Sequence, residues 1–134
     1  MLSRRKTFGH FIASYCCGIV TGVAPLWEAE GPTEVATALN HVWKHENTRP
    51  EILFYDLACR RRRYLQHHPD AGWDGTLNYV DRFHFLNHNE TDCNNYCNPN
   101  KKDNRLLWRR DVNNRDVFRW NSSMAESNNA FIAG

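Results

Sequence analysis

The alternation of apolar and polar residues predicts two strands at the start of the chain. Thr7–Tyr15 and Gly18–Trp27 are rich in Val, Ile and aromatic residues, with glycines as punctuation. Runs of this composition between glycines are typical of β-strands. The short gap at Cys16–Gly18 predicts that the two strands form a hairpin.

A helix and a third strand are predicted next. Gly31-Pro32-Thr33-Glu34 has the composition of a helix start, with Thr33 as the expected cap. Apolar residues then recur at spacings of three and four, which predicts one buried helix face: Val35, Ala38, Leu39, Val42 and Trp43. The helix is expected to end near His45–Asn47. The apolar run Ile52–Tyr55, just after Pro50, predicts a buried strand.

The pattern weakens in the second half of the chain. It predicts a helix from near Leu57, a loop at His67–Gly72 and a strand at Leu77–His84. Asn87–Asn104 has too few apolar residues to form a core of its own. It therefore needs another source of folding energy, unless it is a mobile loop. The order strand, strand, helix, strand, helix, strand predicts a mixed α/β fold, and the length predicts one domain over residues 1–134.

Composition narrows the function classes. The formal net charge is only +2, so a nucleic-acid partner must be argued from local clusters. Five cysteines cannot all pair within one chain, which fits reduced thiols and a metal better than a disulfide framework. No apolar segment reaches the length of a membrane span. Arg4-Arg5-Lys6 before an apolar stretch imitates a secretory signal, but Pro25 directly follows the cleavage-like Gly22-Val23-Ala24 and argues against secretion.

Histidines and cysteines cluster in and beside the polar segment. The spacings His-x3-His and Cys-x3-Cys lie within those of closed zinc sites, and imidazole with thiolate is the ligand chemistry that zinc prefers. A bound Zn²⁺ would supply folding energy that the polar segment lacks. The alternative is that the histidines end a strand and lie in a loop, with the cysteines as small fillers. The candidate ligands are Cys59, His84, His88, Cys93 and Cys97.

Two further motifs each have two interpretations. Arg60-Arg61-Arg62-Arg63 is either a solvated helix face or, with Lys101-Lys102 and Arg109-Arg110, a grip on a phosphate backbone. Ser123-x-x-Glu126 has the form of a capping box, which explains Glu126 completely. In the rival interpretation, Glu126 faces the sheet and supplies a second carboxylate beside Asp56.

Three separated segments resemble the Kyakuja-Dileera-Zisupton (KDZ) transposases and their cysteine-cluster relatives. The similarity runs from about Phe8 to the end of the chain, and the motifs occur in the same order. They are Phe54-Tyr55-Asp56-Leu57-Ala58-Cys59, then Val80-Asp81-Arg82-Phe83-His84 with Asn87-His88 and Cys93, then Asn121-Ser122-Ser123-Met124-Ala125-Glu126-Ser127-Asn128.

The resemblance implies an RNase H-like fold with an Asp-Asp-Glu centre that holds two divalent metals. Asp56 corresponds to the second acid and Glu126 to the third, both as catalytic residues and as ligands of Mg²⁺ or Mn²⁺. Cys59, His84, His88 and Cys93 match recurring Cys/His positions of the family. No acid precedes Thr7, so the first strand and its aspartate are expected to be missing, and the chain is expected to stop inside the helix that starts near residue 122.

The expected function is therefore that of a partial transposase domain for metal-dependent DNA cleavage and strand transfer. Without the first aspartate, and with Asp81 as the one conceivable substitute, we expect it to be inactive alone. Its partners would be DNA and a second transposase chain, and its location nuclear, with the cytoplasm as the alternative. The rival hypothesis is a zinc-stabilised module that binds DNA or protein without catalysis.

Overall fold

A computed structural model describes residues 9–69 and 72–122. It shows a mixed α/β fold in which three helices and three small sheets alternate. The strands are β1 (Gly9–Ser14), β2 (Val20–Leu26), β3 (Ile52–Phe54), β4 (Leu77–Tyr79), β5 (Trp108–Arg110) and β6 (Asp116–Phe118). The helices are α1 (Pro32–Val42), α2 (Ala58–His67) and α3 (Thr91–Tyr96).

The predicted N-terminal hairpin is present. β1 and β2 pair antiparallel, with a register shift between Ala13 and Ser14. α1 packs against this hairpin so closely that a side chain at Gly22 would overlap Val42. Glycine at this position therefore lets β2 lie directly on the helix.

Helix α1 starts and ends differently from the prediction. Its N-cap is Gly31, no side chain caps it, and Pro32 occupies its first turn. Proline suits that place because its missing N–H would have no partner within the helix. The predicted cap Thr33 instead lies within the helix, and Val42 rather than His45–Asn47 ends it.

The central unit is strand β3, helix α2 and strand β4. β3 and β4 pair in parallel, with Ile52 opposite Leu77 and Phe54 opposite Tyr79. Such a pair needs a crossover, and α2 supplies it. The predicted strand Leu77–His84 is wrong beyond Tyr79, because Asp81 accepts the N–H of Phe83 and begins a turn that leads into a short 3-10 helix.

Two groups of buried side chains form the core. The first joins the hairpin to α1 and to Trp73, through Ala13, Val35, Leu39 and Trp43. The second lies around the start of α2 and α3, and its members are Ala58, Cys59, Val80, Phe85, Cys93 and Cys97. The polar segment is therefore anchored to the fold by its buried cysteines, Cys93 and Cys97.

β1 and β3 belong to different sheets. Residues of both strands line two cavities of about 300 and 630 Å³. The second of these also contacts Arg105, Leu106, Arg119 and Trp120, so the C-terminal hairpin lies near the same side of β3. The predicted helix start at residues 122–126, including Glu126, lies outside the described residues.

Candidate metal centre

Helices α2 and α3 bring two distant cysteines together. Cys59 lies in the first turn of α2 and Cys93 in α3, and both side chains are buried. Their Cα atoms are 5.4 Å apart, and the sulfurs form a disulfide across 34 positions of sequence. The expectation of reduced thiols is therefore wrong for this pair in the structure, because α2 and α3 bring the two sulfurs within bonding distance, but the two cysteines predicted as zinc ligands do share one site.

His88 completes this site with an imidazole. Its Nδ1 lies 3.7 Å from Sγ of Cys59 and 3.4 Å from Sγ of Cys93. The ring lies nearly parallel to that of Phe85, with centroids 6.1 Å apart and planes inclined by 9°. Within the described ranges, Cys59, His88 and Cys93 are the one group of three potential metal ligands whose donor atoms all lie within 4.8 Å of one another.

Asp56 contacts the opposite side of the same imidazole. Its Oδ1 lies 3.4 Å from Nε2 of His88, at the exposed edge of the site. A carboxylate at this position favours the imidazole tautomer that carries its proton on Nε2 and directs the lone pair of Nδ1 at the sulfurs. This arrangement of carboxylate, histidine and metal-binding pocket is common around zinc. It gives Asp56 a positioning role that the sequence did not suggest.

The donor set suits a borderline-soft cation. Two thiolates and one imidazole are zinc ligands, and they would fill three of the four positions that Zn²⁺ takes. The same sulfurs cannot be thiolate ligands while they are bonded to each other. The site therefore has two mutually exclusive forms, a reduced form suited to a metal and an oxidised form with the disulfide.

Two of the predicted zinc ligands are not in this group. Nδ1 of His84 lies 2.7 Å from Oδ2 of Asp81, a nearly buried carboxylate that also accepts the hydroxyl of Ser122 at 2.8 Å. Cys97 is buried in the same apolar cluster as the disulfide, but its sulfur is not part of the donor group. Burial raises the pKa of the Cys97 thiol to about 11, which keeps it protonated and a poor ligand near neutral pH.

Oxygen ligands for Mg²⁺ are few. Asp56 and Asp81 line the same cavity of about 300 Å³, together with Glu30 and His84. Hard cations need several oxygens, and of the predicted pair Asp56 and Glu126 the structure describes only Asp56. The residues described do not make an Mg²⁺ site.

Helix α2 places its four consecutive arginines in different surroundings, because successive residues point to different sides of a helix. Arg60 is exposed, but Arg61 is 1% exposed and its guanidinium lies 4.7 Å from the ring centroid of Trp73. Its predicted contact with phosphate is therefore corrected, because it does not reach the surface. Arg62 lies over the ring of Tyr96 at 3.8 Å, and Arg63 pairs with two carboxylates of the α3 region, Glu90 and Asp92.

The two predicted lysines lie at the surface. Lys101 donates to the carbonyl of Asn95, and Lys102 Nζ lies 5.8 Å from the ring centroid of Trp108. The sequence reasoning missed the hairpin that follows them, in which β5 and β6 pair antiparallel. Its signal was the Asn113-Asn114 dipeptide between two short β-prone runs, and Asn114 does adopt a positive φ of 58°.

Comparisons with known proteins add no relative. No protein-family model matches the chain, and neither curated proteins nor solved structures give a significant match. Within the described ranges, none of the helices is both long and apolar enough to cross a bilayer. The candidate function therefore has to be argued from the site itself.

Proposed function

We propose that this chain is a transposase-derived, RNase H-like domain that binds DNA, holds Zn²⁺ in its reduced form and does not cleave DNA alone. The observation that carries the proposal is the position of Asp56. Its carboxylate contacts the imidazole that faces Cys59 and Cys93, so it serves the Cys/His site. A carboxylate that contacts a histidine in this way is less available to bridge the two metal ions of a catalytic centre.

The order of elements supports the RNase H-like part of the proposal. A hairpin, a helix and then the parallel unit of β3, α2 and β4 follow one another as the KDZ resemblance implies. Asp56 comes two residues after β3 ends at Phe54, where the resemblance expects an acid.

A bound Zn²⁺ would stabilise the fold of the polar segment around α3. α3 is only six residues long and much of the chain around it is polar. A metal between α2 and α3 would attach this segment to the central unit, because one ligand comes from each helix and the third from the loop between. When bound, Zn²⁺ would supply structural stabilisation; His88 and the two cysteines would hold it.

Catalysis is the second candidate function. Asp56 is about half exposed and shares a cavity with Asp81, so these two acids are near one another. With Glu126 and a partner transposase chain they would form the acidic centre of a nuclear enzyme that uses Mg²⁺ or Mn²⁺. The presence of Asp56 and Asp81, together with Glu30, at one cavity is what favours this candidate.

A nicking assay separates the two functions. Supercoiled plasmid is incubated with reduced protein and Mg²⁺ or Mn²⁺, in parallel with DNA binding measured by fluorescence anisotropy. The proposal expects binding without nicking for the wild-type chain. Nicking that disappears in Asp56→Asn and persists in the exposed control Asp74→Asn would establish the catalytic candidate instead. Absence of DNA binding would refute both.

A further inference from the structure

One segment near the end of the described chain has a clear excess of positive charge. Residues 101–119 contain seven Lys or Arg and three Asp, a formal net charge of +4. The whole chain carries +2, so the remaining residues together carry −2. The segment that contains the hairpin of β5 and β6 should therefore attract a polyanion more strongly than the chain does on average.

The strand register separates the two faces of that hairpin. Trp108 pairs with Phe118, their rings are 5.2 Å apart, and Trp108 is buried. Arg109 pairs with Val117 and so faces the opposite side, because successive side chains alternate. Arg119 follows two residues after Val117, and its N–H donates to the carbonyl of Leu107, which continues the ladder.

Arg109 and Arg119 thus lie on the outer side as diagonal neighbours, with Cα atoms about 7–8 Å apart. We call this pair of exposed arginines the basic face. Diagonal neighbours of this kind are within reach of the same extended ligand.

Carboxylates neutralise the other arginines of the hairpin but not the basic face. Asp116 lies 3.8 Å from both Arg105 and Arg110, and Asp111 lies 3.2 Å from Arg115. Among residues 9–69 and 72–122, no carboxylate lies within ion-pair distance of Arg109 or Arg119. Two guanidinium groups therefore remain at the surface without a directly paired carboxylate among the described residues, and the nearest influence is Asp111, whose pKa is lowered by its backbone hydrogen bonds and, to a smaller extent, by the charge of Arg109.

We infer that the basic face contacts the phosphodiester backbone of DNA; the inference rests on the proposed DNA-binding function and locates its surface. Guanidinium groups bind phosphate through paired N–H donors, which makes arginine well suited to this contact. Trp120 follows Arg119, is 39% exposed and is fixed by a hydrogen bond from Nε1 to the carbonyl of Leu106. An exposed indole beside a phosphate contact can also stack on an unpaired base. Helix α2 offers less, because three of its four consecutive arginines are buried, stacked or paired within the described part of the chain, and Arg60 is the exception.

The test compares charge-matched variants of the full chain. Binding to a fluorescein-labelled duplex of arbitrary sequence is measured by anisotropy across a series of salt concentrations. The double substitution Arg109→Gln with Arg119→Gln should weaken binding about tenfold or more and reduce the slope of log K against log salt by about 2. The control Lys44→Gln with Arg115→Gln removes the same charge from two exposed sites outside the basic face and should change both quantities less.

Additional variants and a competition experiment decide between the possible results. The charge-preserving pair Arg109→Lys with Arg119→Lys should retain the salt slope. Equal losses in the test and control variants, with wild-type binding intact, would overturn the basic face and leave the proposed function standing. Absence of wild-type binding would overturn the proposed function itself. Displacement of DNA by polyglutamate as effective as displacement by unlabelled duplex would show that the face selects carboxylate chains, and would also overturn the inference.

Discussion

Asp56 and His88 meet at Nε2 of the imidazole, 3.4 Å from the carboxylate, on the side of the ring away from the cysteine sulfurs. The ring therefore has a polar partner on each nitrogen. Since one nitrogen of a neutral imidazole donates and the other accepts, the carboxylate selects the form that presents a lone pair to the sulfurs. The acid that the sequence nominated for catalysis thus contacts the histidine of the candidate metal site.

Loss of this carboxylate should weaken zinc binding without removing a ligand. We expect Asp56→Ala to lower the zinc affinity of the reduced protein by about 10–100-fold, because the imidazole loses its orienting partner. Competition with a chromophoric chelator under reducing conditions measures the change. Asp74→Ala, which removes an exposed acid far along the chain, is the matched control. Equal affinities for wild type and Asp56→Ala would show that the contact does not orient His88.

Oxidation should release the metal. The reduced chain is expected to bind about one Zn²⁺, with Cys59, His88 and Cys93 as ligands. Hydrogen peroxide would take two electrons from the two thiolates, form the sulfur–sulfur bond and free the ion, with water as the reduced product. Metal analysis before and after oxidation checks this in a Cys16→Ser, Cys17→Ser background, which removes two thiols outside the site. Zinc that stays bound after quantitative disulfide formation would contradict the assignment of the ligands.

Arg61 should contribute to stability and Arg60 should not. Arg61 stacks on Trp73, and its Nε donates to Oδ1 of Asn78 at 3.0 Å. Arg61→Ala is therefore expected to reduce the free energy of unfolding by about 2–3 kcal/mol, through lost packing and a lost cation–π contact. Arg60→Ala should stay within about 0.5 kcal/mol of wild type. Urea denaturation of the oxidised protein makes the comparison.

Arg61→Met provides a second measure of the same site. Nη1 and Nη2 of Arg61 are buried and lack a hydrogen-bond partner among the described residues. Methionine keeps much of the side-chain volume and removes these groups, so its effect should be smaller than that of alanine. A larger loss for methionine than for alanine would show that the space occupied by Arg61 does not accept an apolar side chain of similar length.

The buried thiol of Cys97 should react slowly with alkylating reagents. Its raised pKa should also lower the free energy of unfolding in alkaline solution. Its burial raises the pKa to about 11 from an ordinary 9.0. Between these values the folded chain keeps a proton that the unfolded chain releases, so the stabilising effect of the protonated thiol is lost as the pH rises from about 9 to 11. Iodoacetamide at about pH 8 should label exposed Cys17 at least tenfold faster than Cys97 in the disulfide form, as read by peptide mass spectrometry. Equal rates would mean that Cys97 is accessible.

The parts of the fold with strong local patterns were predictable. The hairpin of β1 and β2 is confirmed within two residues at most ends, and α2 begins one residue after the predicted Leu57. These elements depend on local composition and spacing, which one sequence records. The mixed α/β class follows from their order, whereas the KDZ relationship and the RNase H-like fold stay predictions.

The sequence predicted the types of ligand in the candidate metal site, but not which of the candidate residues form it. Sequence spacing nominated His84 and His88 equally, yet the turn at Asp81 directs His84 to a carboxylate and leaves His88 at the sulfurs. Likewise, nothing in a run of four arginines says which one a helix will bury, because that depends on where Trp73 packs. Such choices depend on contacts between distant segments.

The bond between Cys59 and Cys93 has a topological consequence. It makes residues 59–93 a covalent ring that encloses most of α2, all of β4 and the loop that carries His88. A metal held by the same two sulfurs would close the same ring through one extra atom. The connectivity of this half of the domain would then survive a change of redox state, while the entropy of its unfolded chain would be restricted in either case.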